Sequence, residues 1–294
     1  MFLRILGGGI VFILFSVLGT LSVVSLTKTS DVDKRLYSAE KSIKDQEKEL
    51  KKLHAEFIAF EKKLQGGGAA LGSSGDKWGY EGELGPDKWG SKFAVCGAGK
   101  SQSPVNIVGP FEKATSTLKT EYKPGVLRVI NNGHTIQVNV PPGNLLKVGA
   151  ETYELQQFHF HRPSEEQIDG KPMAMVVHLV HKSAGGKLAV IGVLMRESAA
   201  QNRALWAIWK NMPAKAGPEV TVTSVSINPA NLLPESLAHY AYEGSLTTPP
   251  CTEGVQFFIM KSPIGVQKEM IDSFPFKLNA RPVQPLNGRK ITAS

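Results

Sequence analysis

Between Gln156 and His181 the chain reads QQFHFHRPSEEQIDGKPMAMVVHLVH, and the alternation in this stretch leaves little structural freedom. Side chains two apart on a strand share a face. A strand here therefore sets His159 and His161 on one side and Phe158 and Phe160 on the other. Pro163 interrupts the pattern, Asp169-Gly170 signals a hairpin, and the returning strand delivers His178. Three imidazoles without a nearby cysteine, and with a fourth position free, form the ligand set expected of a catalytic zinc. The chemistry this predicts is activation of water.

The 294 residues, 41% of them hydrophobic, suffice for one sizeable domain with accessory segments. Basic residues number 34 against 26 acidic ones, with a net charge of +8 and no dense basic block, so nucleic acid is not an expected partner. The two cysteines, Cys96 and Cys251, lie far apart and outside any CxxC arrangement. That spacing allows one disulfide and excludes a cysteine metal site. A bridge would imply folding in an oxidising compartment.

Residues 1–30 read as a membrane anchor. The run Ile5–Leu26 is uncharged, and roughly 20 apolar residues cross a bilayer as a helix. A signal peptide is the alternative, with Thr20-Leu21-Ser22 the arguable cleavage site. Residues 31–65 read as a coiled-coil stalk. Val32, Leu36, Ala39, Ile43, Leu50, Leu53, Phe57, Phe60 and Leu64 follow heptad spacing, and only Gln46 breaks the seam. At about 1.5 Å per residue such a helix would span roughly 50 Å and favour a homo-oligomer. A surface-lying amphipathic helix is the competing reading. Residues 66–75 form a Gly-rich flexible linker, and a folded domain is expected over 76–294.

In that domain, short β-rich runs alternate with Pro and Gly: Val126–Ile130, Thr135–Val140, Asn144–Val148, Leu188–Met195, Val220–Val225 and Val255–Met260. Ser198–Lys210 reads as the one clear helix. Periodicity thus predicts a sheet-dominated domain with few helices.

Ordered blocks from about Lys77 to Thr292 carry a resemblance. They are WGY at Trp78–Tyr80, QSPVNI at Gln102–Ile107, NNGHT at Asn131–Thr135, QFHFH at Gln157–His161, Ser164-Glu165, HLVH at His178–His181, GSLTTPPC at Gly244–Cys251 and NARPVQPLNGR at Asn279–Arg289. Together they resemble the α-class carbonic anhydrases, in particular exported bacterial forms. The resemblance implies a mainly β fold, a twisted and mostly antiparallel sheet of about ten strands, with a metal at the bottom of a conical cleft. It implies Zn2+ on His159, His161 and His178, and hydration of carbon dioxide to bicarbonate by zinc-bound hydroxide. Ester hydrolysis is an implied side activity.

By the same resemblance, Thr247 aims the nucleophile and donates its proton to buried Glu165, while His134 shuttles protons. Val180, Val190, Leu246 and Val255 form an apolar substrate wall, Thr248 lies at the pocket mouth, and Phe257 replaces a usual tryptophan. Tyr80, Asn132 and Gln137 match polar cleft positions. Gln157 and the backbone around Asn279 match the partners of His159 and His161, and Cys96 and Cys251 match a disulfide. One departure stands out. The family has a glutamate two residues before the third ligand, where this chain has Val176, and a histidine after Glu165, where it has Glu166. Pairing the strands around Asp169–Met173 sets Glu166 opposite Val176, and Glu166 is expected to serve as partner of His178.

Two other readings stay open at this point. The spacing His159-x-His161-x3-Glu165 imitates a cupin-type metal oxygenase, although Tyr153 stands where that motif begins with glycine. A non-catalytic adhesion or scaffold module could also keep the fold. The leading expectation is a zinc enzyme held at the bacterial inner membrane and facing the periplasm, or freed into it after cleavage.

Overall fold

The structure, a computed structural model, describes residues 77–294 and nine helical positions between Lys34 and Lys48. The predicted anchor, the apolar seam of the predicted stalk and the linker lie outside the described residues. Among the described residues no helix is long and apolar enough to cross a membrane. The chain divides into two units, Met1–Ala69 and Ala70–Ser294. The second is described below.

Eight longer strands carry this unit: β1 Gly125–Asn131, β2 Ile136–Asn139, β3 Glu151–His161, β4 Met175–Ser183, β5 Leu188–Glu197, β6 Val220–Ile227, β7 His239–Ser245 and β8 Glu253–Met260. They lie in a thirteen-stranded sheet in the order β6-β1-β2-β3-β4-β5-β8-β7, extended at one edge by Thr292–Ala293 and Glu112–Lys113. The long strands pair antiparallel except β5 with β8. This is the mainly β, mostly antiparallel sheet that was expected.

Strands β4 and β5 sit at the centre and are covered on both faces, so they read as continuous apolar runs rather than alternating ones. Val177, Leu179, Ile191 and Val193 pack with Phe158 and Phe160 in one cluster. Val176, Val190 and Leu194 pack with Phe257 and Ile259 in another. Phe158 and Phe160 are fully buried, and burial of each stabilises the fold by about 1.5–3 kcal/mol. Their insertion into the core fixes which way the intervening histidines face.

Helix α1, Arg203–Asn211, covers the first cluster with Leu205 and Ile208. It begins later than the predicted Ser198, because the Asn202 side chain accepts from the N–H groups of Ala204 and Leu205 at 3.0 and 3.1 Å. It ends ahead of Pro213, consistent with the bias of the residue before proline against helical backbone.

The Asp169-Gly170 hairpin forms, with φ of 49° and 76° at the two turn residues, the left-handed backbone that such turns require. Its arms are short, however. Gln167–Ile168 and Lys171–Pro172 join Asn106–Ile107 in a separate three-stranded sheet. The predicted pairing of Glu166 with Val176 is therefore incorrect: Val176 pairs with His161 and with Leu194. The cause is the tightness of the turn, which pairs Ile168 with Lys171 and Gln167 with Pro172, and the bend behind it is fastened by Ser164. Its amide donates to the Met173 carbonyl at 3.0 Å, its Oγ accepts from the Met173 amide at 2.8 Å, and the same hydroxyl donates to the Glu166 carbonyl at 2.7 Å. This pinch fastens residues 162–166, which lie outside the strand pairing.

Candidate metal centre

The β3–β4 register places His178 directly across from His159, with His161 two residues along on the same face. One nitrogen of each ring lies within 4.8 Å of the others. Gly192 of β5, the neighbour of His178 on its other side, makes the packing possible. A Cβ there would stand 2.5 Å from Ile259 Cδ1 and 3.6 Å from His178 Cδ2.

Each ring has an acceptor on its outer nitrogen. Gln157 Oε1 lies 2.8 Å from His159 Nδ1, the Asn279 carbonyl lies 2.6 Å from His161 Nδ1, and Glu166 Oε2 lies 3.1 Å from His178 Nε2. Carbonyl and carboxylate oxygens accept, so those three nitrogens carry the protons. Nε2 of His159, Nε2 of His161 and Nδ1 of His178 keep their lone pairs. His161 Nε2 is buried without a hydrogen-bond partner, an arrangement that costs free energy unless a cation takes the lone pair. The donor set fits zinc: three neutral nitrogens, each oriented by a second group.

Electrostatics divide the trio. Burial, then repulsion from His178, pushes His159 down to about 3, and burial holds His161 well below the ordinary histidine range. Burial also acts to lower His178, but the Glu166 and Glu165 carboxylates outweigh it and raise its pKa. Burial lifts Glu165 to about 7, with repulsion from Glu166 adding to it, while His178, the Arg281 amide and the Thr247 hydroxyl pull it down.

Glu165 lies on the lone-pair side of two of the rings, its Oε2 3.4 Å from His161 Nε2 and 3.7 Å from His178 Nδ1. The Arg281 amide donates to its Oε1 at 2.8 Å. Thr247 acts on the same carboxylate, yet Oε2 is left without a hydrogen bond of good geometry.

A cavity of about 490 Å³ opens over the three histidines. Tyr80, Asn132, His134, Gln137, Gln157, Val180, Val190, Leu246, Thr247 and Thr248 line it. Val255, expected on the apolar wall, does not: it is buried in the cluster behind, and Phe257, equally buried and two residues on along the same face, lines the cavity in its place. Burial carries the Tyr80 phenol well above its ordinary pKa. Asn132 does more than line the cleft. Its Oδ1 accepts from the amides of His134 and Thr135 at 3.0 and 2.9 Å, a turn that presents His134 to the cavity.

Two residues, and a second role for Asn279, escaped the sequence reading. Trp78 lines the cavity and stacks on His134. The Asn279 side chain donates to the carbonyls of Phe160 and His134 and accepts from the Arg162 amide, so it ties the ligand strand to the loop of His134. Arg281 donates from its guanidinium to Gln102 Oε1 and to the carbonyls of Ser103 and Cys96. This fastens the segment holding Glu165 to the Cys96–Cys251 disulfide, which forms as expected. Trp78, Asn279 and Arg281 all fall inside the motif blocks, and that was the available signal.

A family model described as Eukaryotic-type carbonic anhydrase matches residues 84–294. A carbonic anhydrase of Pectobacterium carotovorum is 45% identical over 221 residues, covering 73% of this chain and 89% of the relative. One from Nostoc sp. is 41% identical, covering 73% of this chain and 84% of the relative. The solved α-carbonic anhydrase of Thermovibrio ammonificans, in complex with the inhibitor sulfanilamide, superposes with a TM-score of 0.71 at 38% identity, covering 74% of this chain and 100% of that one. Agreement of this extent, over the same residues that build the histidine cluster, makes the chain a member of the eukaryotic-type, or α-class, carbonic anhydrase family.

Proposed function

We propose that the chain catalyses the reversible hydration of carbon dioxide to bicarbonate and a proton, with zinc held by His159, His161 and His178. The observation that carries this reading is the convergence of three lone-pair nitrogens whose outer nitrogens are all hydrogen-bonded. When bound, zinc supplies a Lewis acid that lowers the pKa of water from 15.7 to about 7, so a nucleophile is available near neutrality.

The protein's own groups do the rest. Val180, Val190, Leu246 and Phe257 give the cavity an apolar side, which suits a small substrate without a dipole. Glu165, fixed by the Arg281 amide, accepts a hydrogen bond from the Thr247 hydroxyl. The Thr247 oxygen then accepts a hydrogen bond from the nucleophile and aims it. His134 carries the released proton outward, across a cleft whose solvent Tyr80, Asn132 and Gln137 order. Thr248 stands at the mouth.

The test is stopped-flow hydration of dissolved CO2 with a pH indicator. The chain should accelerate it, His159→Ala should abolish the acceleration, and a sulfonamide of the kind bound by the Thermovibrio relative should inhibit. A wild-type rate equal to the buffer rate overturns the proposal.

We further infer that residues 1–30 anchor the chain in a bacterial inner membrane, that 31–65 self-associate as a coiled coil, and that the catalytic unit faces the periplasm. The uncharged run, the heptad spacing and the Cys96–Cys251 bridge support this reading. Protease accessibility in spheroplasts checks it: cleavage of the catalytic unit only after lysis contradicts a periplasmic placement.

A further inference from the structure

We propose that Glu166 is the positioning residue of the third ligand, doing from a loop what a carboxylate two residues before His178 would do from the strand. The inference rests on the zinc reading above. Val176, the residue at that strand position, is fully buried among Val190, Leu194 and Ile259 and offers nothing to an imidazole. Glu166 comes from outside the ladder. The Ser164 pinch folds residues 162–166 back under the ring, and Glu166 Oε2 meets His178 Nε2 at 3.1 Å.

The Glu166 side chain is fully buried, and its other oxygen has no hydrogen-bond partner. A buried carboxylate with a single partner is costly to separate from it. Glu166 therefore holds the proton of His178 on Nε2 and turns Nδ1, with its lone pair, toward His159 and His161. The Cδ2–Nε2 edge of the ring also rests against Gly192, where no side chain competes for Nε2. Residues 176 and 178 share a face of β4, so a glutamate restored at 176 would approach the same nitrogen.

Zinc affinity of the full chain, read by competition with a chromophoric chelator, tests this. Wild-type protein must bind zinc; if it does not, the zinc reading falls and this inference with it. Given wild-type binding, Glu166→Ala should weaken zinc about 10–100-fold, Val176→Ala should leave it unchanged, and Glu166→Ala with Val176→Glu should regain most of the loss. Glu166→Gln keeps an acceptor and decides the matter should the alanine variant fail to fold. It should lose less than about tenfold and keep the His178 Nε2–H resonance protected from solvent in zinc-loaded, 15N-labelled protein. Wild-type affinity in Glu166→Ala, no recovery in the folded double variant, or an unprotected Nε2–H in wild type overturns the assignment while leaving the zinc reading intact.

Discussion

Trp78 lies flat on His134, ring centroids 3.8 Å apart and planes 10° from parallel. Two effects oppose each other in this stack. The indole face favours the imidazolium through cation–π attraction, while burial disfavours it and holds His134 below its ordinary pKa. Trp78→Ala should therefore raise the His134 pKa toward 6.5, read by NMR titration of its Cε1 proton. A fall would show that the indole stabilises the cation instead.

The same histidine is placed to carry the proton out of the cleft. His134→Ala should lower turnover about 100-fold in weak buffer, the lower end for positioned proton transfer, and added imidazole should restore it. Turnover unchanged in weak buffer would assign the relay elsewhere.

Thr247 is expected to act through orientation. Thr247→Val removes the hydroxyl at nearly constant volume, and kcat should fall about 100-fold with zinc content intact. A loss of zinc instead of rate would make Thr247 a structural residue.

Cys96 and Cys251 are 155 residues apart in sequence. Through the Cys96 carbonyl, Arg281 and its amide, the bridge is linked to Glu165. In the loop-entropy model, the double Cys→Ser variant should lose about 3–5 kcal/mol of stability in guanidinium unfolding. A loss near zero would mean that the reduced unfolded chain is already constrained.

His181 gives the fold an acid limit distinct from the metal ligands. It is fully buried, its Nδ1 donating to the Ala189 carbonyl at 3.2 Å and its Nε2 facing the Tyr122 hydroxyl at 2.6 Å. Burial depresses its pKa to about 4, against about 6.5 unfolded. Its folded pKa being the lower, the stability it contributes is complete above about 6.5 and is lost as pH falls toward 4, up to about 3 kcal/mol. Replacing it by Gln should remove about 1.4 kcal/mol per pH unit from the slope of unfolding free energy across that window. An unchanged slope would contradict the shift.

The ligand trio was legible because a period of two, with Phe158 and Phe160 claimed by the core, fixes which face His159 and His161 occupy. The sheet was legible for a related reason: its strands carry β-branched and aromatic residues between turn formers. The bend before β4 was not. Alternation and an Asp-Gly turn suggested one continuous hairpin, whereas the turn closes on two residues and Ser164 fastens the bend beside it with three hydrogen bonds that no periodicity encodes. Glu166 was still recognisable as the partner of His178, since the resemblance to the family implies a carboxylate at 176 that this chain lacks, and a histidine at 166 where it has a glutamate. Asn279 and Arg281 act through backbone groups and contacts more than a hundred residues away in sequence, which composition and spacing cannot reveal. Val255 and Phe257 share a strand face, and only packing decides which of them meets the cavity.

The most direct measurement is 18O exchange between labelled bicarbonate and water, followed by mass spectrometry on the full chain as purified, after chelation, and after return of one equivalent of zinc. The account predicts rapid exchange, its loss on chelation and its recovery with zinc, and no recovery in a variant lacking His161. Exchange that persists without the metal, or that fails to appear in zinc-loaded protein, contradicts it.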